Sequence, residues 1–138
     1  MNESNVWQTL KQGLTDKCLM TRIESSAGNG VPDVIVHSKI GHIFIELKYI
    51  ESYPKRESTQ LKLPLRPEQK LWINTRGNLS GNVWVFVRVE DDFYLLPYFV
   101  AIRLCDGWVT EQWKRIPHWT KKINFNDLYA QLIYKEEK

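Results

Sequence analysis

Gly30-Val31-Pro32-Asp33-Val34-Ile35-Val36-His37-Ser38-Lys39-Ile40-Gly41-His42-Ile43-Phe44-Ile45-Glu46-Leu47-Lys48 reads as two strands joined by a tight turn. Val34, Ile35 and Val36, and then Ile43, Phe44 and Ile45, are the β-branched and aromatic residues that fit a pleated surface. Ser38 and Gly41 break the pattern between them. If Lys39 and Ile40 form the loop, Asp33 falls directly across from Glu46, and such pairs hold their Cβ atoms ~5 Å apart. Glu46 and Lys48 are two residues apart on one strand, so they share a face. Two acids and a lysine therefore converge on one patch.

On a solvated ribbon such charges would mean little. These strands are too apolar for that, and Glu46 interrupts Ile43-Phe44-Ile45-Leu47, where a carboxylate without a partner is costly. Two carboxylates this close repel unless a cation lies between them, and hard divalent cations take carboxylate oxygens.

Pro32-Asp33 followed by Glu46-Leu47-Lys48 resembles the signature of the PD-(D/E)XK nuclease superfamily. The likeness is nearest to its small phage and archaeal members, the virus-type replication-repair (VRR-NUC) nucleases and Holliday-junction resolvases. Three features strengthen it: Gly30 before Val31-Pro32-Asp33, Arg22-Ile23-Glu24 just upstream, and Leu65-Arg66-Pro67-Glu68-Gln69 downstream. The resemblance covers about residues 3 to 96. It implies an α/β fold with a restriction-endonuclease-like core, a central mixed β-sheet flanked by helices. It also implies a Mg²⁺-dependent endonuclease, with Mn²⁺ as a substitute, acting on DNA as partner. A homodimer is compatible with it. The competing reading is a catalytically silent nucleic-acid-binding or assembly protein on the same fold.

Length and composition set the frame. The 138 residues correspond to one domain, large enough to bury a core. The net charge of +3 permits nucleic-acid binding without requiring it. Cys18 and Cys105 are far apart and lack metal-site spacing, which fits a reduced, intracellular protein better than a disulfide scaffold. No signal peptide and no run of ~18 apolar residues is visible, so the expectation is a cytoplasmic protein with no membrane partner, in an infected host cell if the chain is viral.

Residues 3 to 14 carry Val6, Trp7, Leu10 and Leu14 at helical spacing. Glu3 lies on the same stripe. It reads either as a helix-start acid suited to the dipole or, by the resemblance, as a metal-site glutamate ahead of Gly13. Residues 18 to 24 read as a strand, and Glu24 is either a third carboxylate of the site or a partner for Arg22. Residues 49 to 64 show no apolar periodicity; they form a surface loop, a basic flap over phosphates, or both, with Lys55, Arg56 and Lys62 as its cations and Arg66 beyond. Pro67 suits a first helical turn, with Leu71, Trp72 and Ile73 as the expected buried face and Gly77 as the stop. The nearly all-apolar Val83–Val89 reads as a central strand completing a β-α-β unit with the Glu46 strand. Glu90-Asp91-Asp92 is expected as a solvated turn before a Phe93–Leu96 strand. Residues 98 to 104 fit a strand or a helix. The interleaved Trp108, Trp113, Trp119 and basic residues read as packing under a basic rim, or as a stacking surface. A last helix is expected after Asn124 or Asn126, with Leu128, Leu132 and Ile133 inward.

By the resemblance, Asp33, Glu46 and Lys48 are the catalytic core, with Glu3, Glu24 and Gln69 as further candidates. Asp33, Glu46 and the Leu47 carbonyl, with Glu3 or Glu24, would hold Mg²⁺. Lys48 would orient or deprotonate the attacking water, or neutralise charge at phosphorus, and Gln69 would support the lysine or the DNA.

Overall fold

A computed structural model of the protein describes residues 2–23 and 30–134. Helix α1 (Glu3–Leu14) starts where the Asn2 side chain accepts from the Asn5 N–H and Asn5 returns the bond, satisfying donors that a helix start leaves open. It buries Val6, Trp7, Leu10 and Leu14 as the spacing predicts. Strands β1 (Leu19–Arg22), β2 (Val34–Ser38) and β3 (Gly41–Ile50) follow as an antiparallel meander. The β2–β3 register pairs Val34 with Ile45 and His37 with His42, so Lys39 and Ile40 form the loop. Ser38 Oγ donates to the Gly41 carbonyl across it. The two histidine rings meet edge-on, 4.9 Å apart, with His37 also bonded to the Thr21 hydroxyl, at the turn end of the hairpin.

After β3 the chain makes the short strand β4 (Gln60–Leu61), helix α2 (Pro67–Ser80) and strand β5 (Val83–Val89). β5 pairs parallel with β3, setting Glu46 beside Val85 and Lys48 beside Val87, and α2 is the crossover between them. Strand β6 (Asp92–Pro97), helix α3 (Tyr98–Leu104), strand β7 (Trp108–Val109), helix α4 (Thr110–Arg115), strand β8 (Trp119–Thr120) and helix α5 (Phe125–Ile133) complete the chain. The main sheet is mixed and six-stranded, in the order β1-β2-β3-β5-β6-β8; β4 and β7 form a separate two-stranded ribbon. Alternation along the strands sends Val34, Val36, Ile43, Ile45, Leu47, Phe86, Phe93 and Leu95 toward α1 and α5. The opposite parity, including Val83, Val85, Val87, Tyr94 and Leu96, packs with residues of α2, α3 and α4. No helix among the described residues is long and apolar enough to cross a membrane.

Several expectations are revised. Leu71 is exposed, because α2 lays Gln69, Ile73 and Gly77, spaced by four, on the rest of the protein. Gly77 does not stop α2: the Tyr98 ring of α3 occupies the space a Cβ would need there, and the helix ends at Gly81 in the left-handed conformation (φ 68°). Residues 98 to 104 are helical. Asp92 is not in a solvated turn: it is buried, accepting from the Tyr53 and Thr120 hydroxyls at 2.5 and 2.8 Å. The segment after β3 is a docked strap rather than a free loop, held by buried Tyr53 and Leu63 and by β4–β7 pairing. The tryptophan-rich third serves the core through Trp113, which is fully buried and donates from Nε1 to the Leu61 carbonyl.

Candidate active site

Asp33 stands one residue before β2, opposite Glu46 in the hairpin register. Three contacts fix it. The Ile23 N–H donates to its carbonyl at 2.7 Å, and the Leu47 N–H donates to its Oδ2 at 2.9 Å. Gly30, with φ +81°, presses against the backbone of α2 at Glu68, so closely that a Cβ would meet the Glu68 carbonyl. Only glycine meets both the left-handed conformation and that approach.

Glu46 is 1% exposed. Its Oε2 is buried with no hydrogen-bond partner among the described residues. Burial pushes its carboxyl far above the usual carboxylate range, and the hydrogen bond to Asp33 and the Asp33 charge add to the rise. Lys48, 8% exposed, donates from Nζ to Gln69 Oε1 at 3.1 Å and stands 3.9 Å from Glu3 Oε1. Gln69 Oε1 also accepts the Arg66 N–H at 2.9 Å. One amide oxygen thus caps the start of α2 and holds the lysine.

These side chains line one polar cavity of about 630 Å³. Asp33, Glu46, Lys48, Glu3, Gln69 and Arg66 all border it, brought together from the hairpin, α1 and α2. Glu3 is half-exposed; burial raises its carboxyl above the usual range, with Lys48 pulling the other way. Leu47 takes part through its backbone. Glu24 lies outside the described residues. Lys55, Arg56 and Lys62 are exposed on the strap and do not border the cavity. Among the described residues no three His, Cys, Asp or Glu side chains form a metal cage. Asp33 and Glu46 are the neighbouring carboxylates in the cavity that could hold an ion. Such a pair suits Mg²⁺, which keeps several waters and uses one or two carboxylates, better than a metal needing a full protein cage.

Among the lining residues that the sequence does not mark as site residues are Trp7, expected as core, and Arg22, which enters only in the Arg22-Ile23-Glu24 motif and as a partner for Glu24. The Arg22 guanidinium lies over the Trp7 ring, 5.4 Å from its centroid. Strand alternation and helix spacing each placed one of them; only the packing of α1 beside β1 brings them together. A second cavity, about 490 Å³, lies among Trp84, Leu95, Val100, Ile116 and Tyr134, and among the described residues no carboxylate, amine or imidazole lines it. No protein-family model and no curated protein sequence matches the chain.

Proposed function

We propose that the protein is a Mg²⁺-dependent endonuclease that hydrolyses DNA phosphodiester bonds, built on a restriction-endonuclease-like core. The observation that carries this reading is the buried Glu46 carboxyl beside Asp33, with one oxygen that has no hydrogen-bond partner among the described residues. A buried carboxyl beside a second acid is an expensive arrangement unless a cation lies between them. The parallel β3–β5 pair crossed by α2, with both acids on the preceding hairpin, supports the same core.

Asp33 and Glu46 would hold the ion, with the Leu47 carbonyl beside them. The ion when bound polarises a phosphoryl oxygen, makes a nucleophile of its water at neutral pH and neutralises charge built up in the transition state. The Leu47 N–H keeps Asp33 oriented without occupying its other oxygen. Gln69 holds the Lys48 ammonium beside the pair, where it meets the attacking water or the charge on the phosphoryl oxygens. The test is purified protein on supercoiled, linear, single-stranded and four-way-junction DNA, with Mg²⁺, Mn²⁺ or EDTA. Cleavage with either metal and none in EDTA is expected. Binding without cleavage in Mg²⁺ would assign the chain to a DNA-binding or assembly role instead.

A further inference from the structure

Among the described residues, three carboxylates (Glu3, Asp33, Glu46) and three cations (Arg22, Lys48, Arg66) line the polar cavity. The cations are differently employed. Lys48 is held by Gln69 and stands near Glu3. Arg66 pairs with Glu68, with Nε 3.3 Å from Oε1. Arg22 instead holds its guanidinium carbon over the ring of Trp7, a residue 9% exposed and anchored in the core by α1. Attraction to the ring's quadrupole holds the guanidinium there and leaves it N–H groups that the contact does not use. Those N–H groups form a fork matched to two oxygens of a phosphate. Arg22 ends β1, and the backbone next to it, at Ile23, is bonded to Asp33. The backbone beside Arg22 is therefore tied to the backbone of Asp33.

We infer that Arg22, on its Trp7 platform, binds the DNA phosphate next to the one that is cut. The inference rests on the nuclease reading of the Asp33–Glu46 pair and adds a substrate requirement to it: a charged phosphate on one side of the cleaved bond. Arg22 is a binding residue and does not touch the reacting atoms. On the nuclease reading the phosphate beside Asp33, Glu46 and Lys48 is the one cleaved, and Arg22 lines the same cavity, where it would meet the next one.

The test combines the protein change with the complementary change in DNA. An oligonucleotide with a mapped cut is made with a neutral methylphosphonate replacing the phosphate on either side of the cleaved bond, one at a time. Wild-type protein, Arg22→Ala and Arg22→Lys are compared, with thermal melting to check the fold. Arg22→Ala should raise the DNA concentration for half-maximal rate about tenfold, the size expected for one charge-assisted contact. The maximal rate should change far less. One of the two methylphosphonates should penalise the wild type and leave Arg22→Ala indifferent, with Arg22→Lys between, because it keeps the charge and loses the fork. If Arg22→Ala still feels both methylphosphonates as the wild type does, the inference is overturned and the nuclease reading stands. If the wild type binds DNA but does not cut it, the nuclease reading fails and the salt dependence of binding decides: a slope lower by about one unit in Arg22→Ala upholds the phosphate contact, and an unchanged slope overturns it. Absence of any DNA binding by the wild type overturns both.

Discussion

Glu46 is almost fully buried and faces Asp33, so ionising it in the metal-free protein sets two carboxylates against each other in a dry setting. Its folded-state pKa lies well above the unfolded value. The sign follows from linkage: below the unfolded carboxyl range both states carry the proton, and as pH rises past it the unfolded chain releases the proton while the folded one keeps it. The metal-free protein should therefore lose stability with rising pH relative to Glu46→Gln, at up to ~1.4 kcal/mol per pH unit until Glu46 ionises in the folded state. Thermal melts of both proteins in EDTA from pH 4 to pH 9 measure this; parallel curves would refute it. Mg²⁺ binding must expel the same proton. Its affinity should rise about tenfold per pH unit near neutrality, and calorimetry in buffers of different ionisation enthalpy should detect proton release. Glu46→Gln should show neither effect, and its Mg²⁺-dependent cleavage should fall by at least about a hundredfold.

Helix α2 is where an element acts on the site. Its first turn gives Gln69 to Lys48, and its backbone at Glu68 receives Gly30, which leads the chain to Asp33. Gln69→Ala removes the acceptor of two hydrogen bonds at a buried position and should cost about 1–3 kcal/mol, with cleavage falling more than stability because Lys48 loses its anchor. Chemical denaturation beside single-turnover rates separates the two; equal, small losses would make Gln69 merely a cap. Gly30→Ala should cost a similar amount through its positive φ and the contact with Glu68, and should disturb Asp33 with it. The strip Gln69-Ile73-Gly77 explains why the helix face was misjudged. Its inward residues are polar, apolar and absent in turn, while Leu71 and Leu79, the apolar residues that catch the eye, face outward.

Across the whole molecule, the strap between β3 and α2 joins the site to the C-terminal third. Tyr53 donates to Asp92 and contacts Tyr94 through the same hydroxyl, Thr120 bonds the other Asp92 oxygen, and His118 Nε2 stands 3.9 Å away. Burial works against the Asp92 charge, but the bonds from Tyr53 and Thr120 prevail and hold its carboxyl below the usual range. Such a group contributes stability above the unfolded carboxyl pKa and loses it as pH falls through the folded value. Tyr53→Phe should destabilise by about 1.5–3 kcal/mol at pH 7, and the gap from wild type should narrow in acid below about pH 4. Urea titrations at pH 7 and pH 3 test it, and a constant gap would show that the network is not what holds the strap. Lys55 and Arg56 stand exposed on the docked strap, outside the cavity lining. Lys55→Ala/Arg56→Ala should weaken binding to all DNA sequences alike and lower the salt slope by about two units, with the rate at saturating DNA little changed. Unchanged affinity and slope would leave those side chains without a role in DNA binding.

The hairpin register, and with it the meeting of Asp33, Glu46 and Lys48, was legible in the chain because strand alternation and a two-residue loop are local rules. The same is true of α1, the central β5 strand and the Asn124 start of α5. Tertiary structure decided what no local rule reaches. It turned Asp92 from an expected surface acid into a buried hub and set Arg22 over Trp7 at the edge of the site. Those outcomes depend on residues 15 to 60 positions apart in the chain finding each other across the sheet. A side chain's own identity and its near neighbours carry no record of that encounter, since the free energy that decides it comes from burial and hydrogen bonding which exist only once the layers are packed.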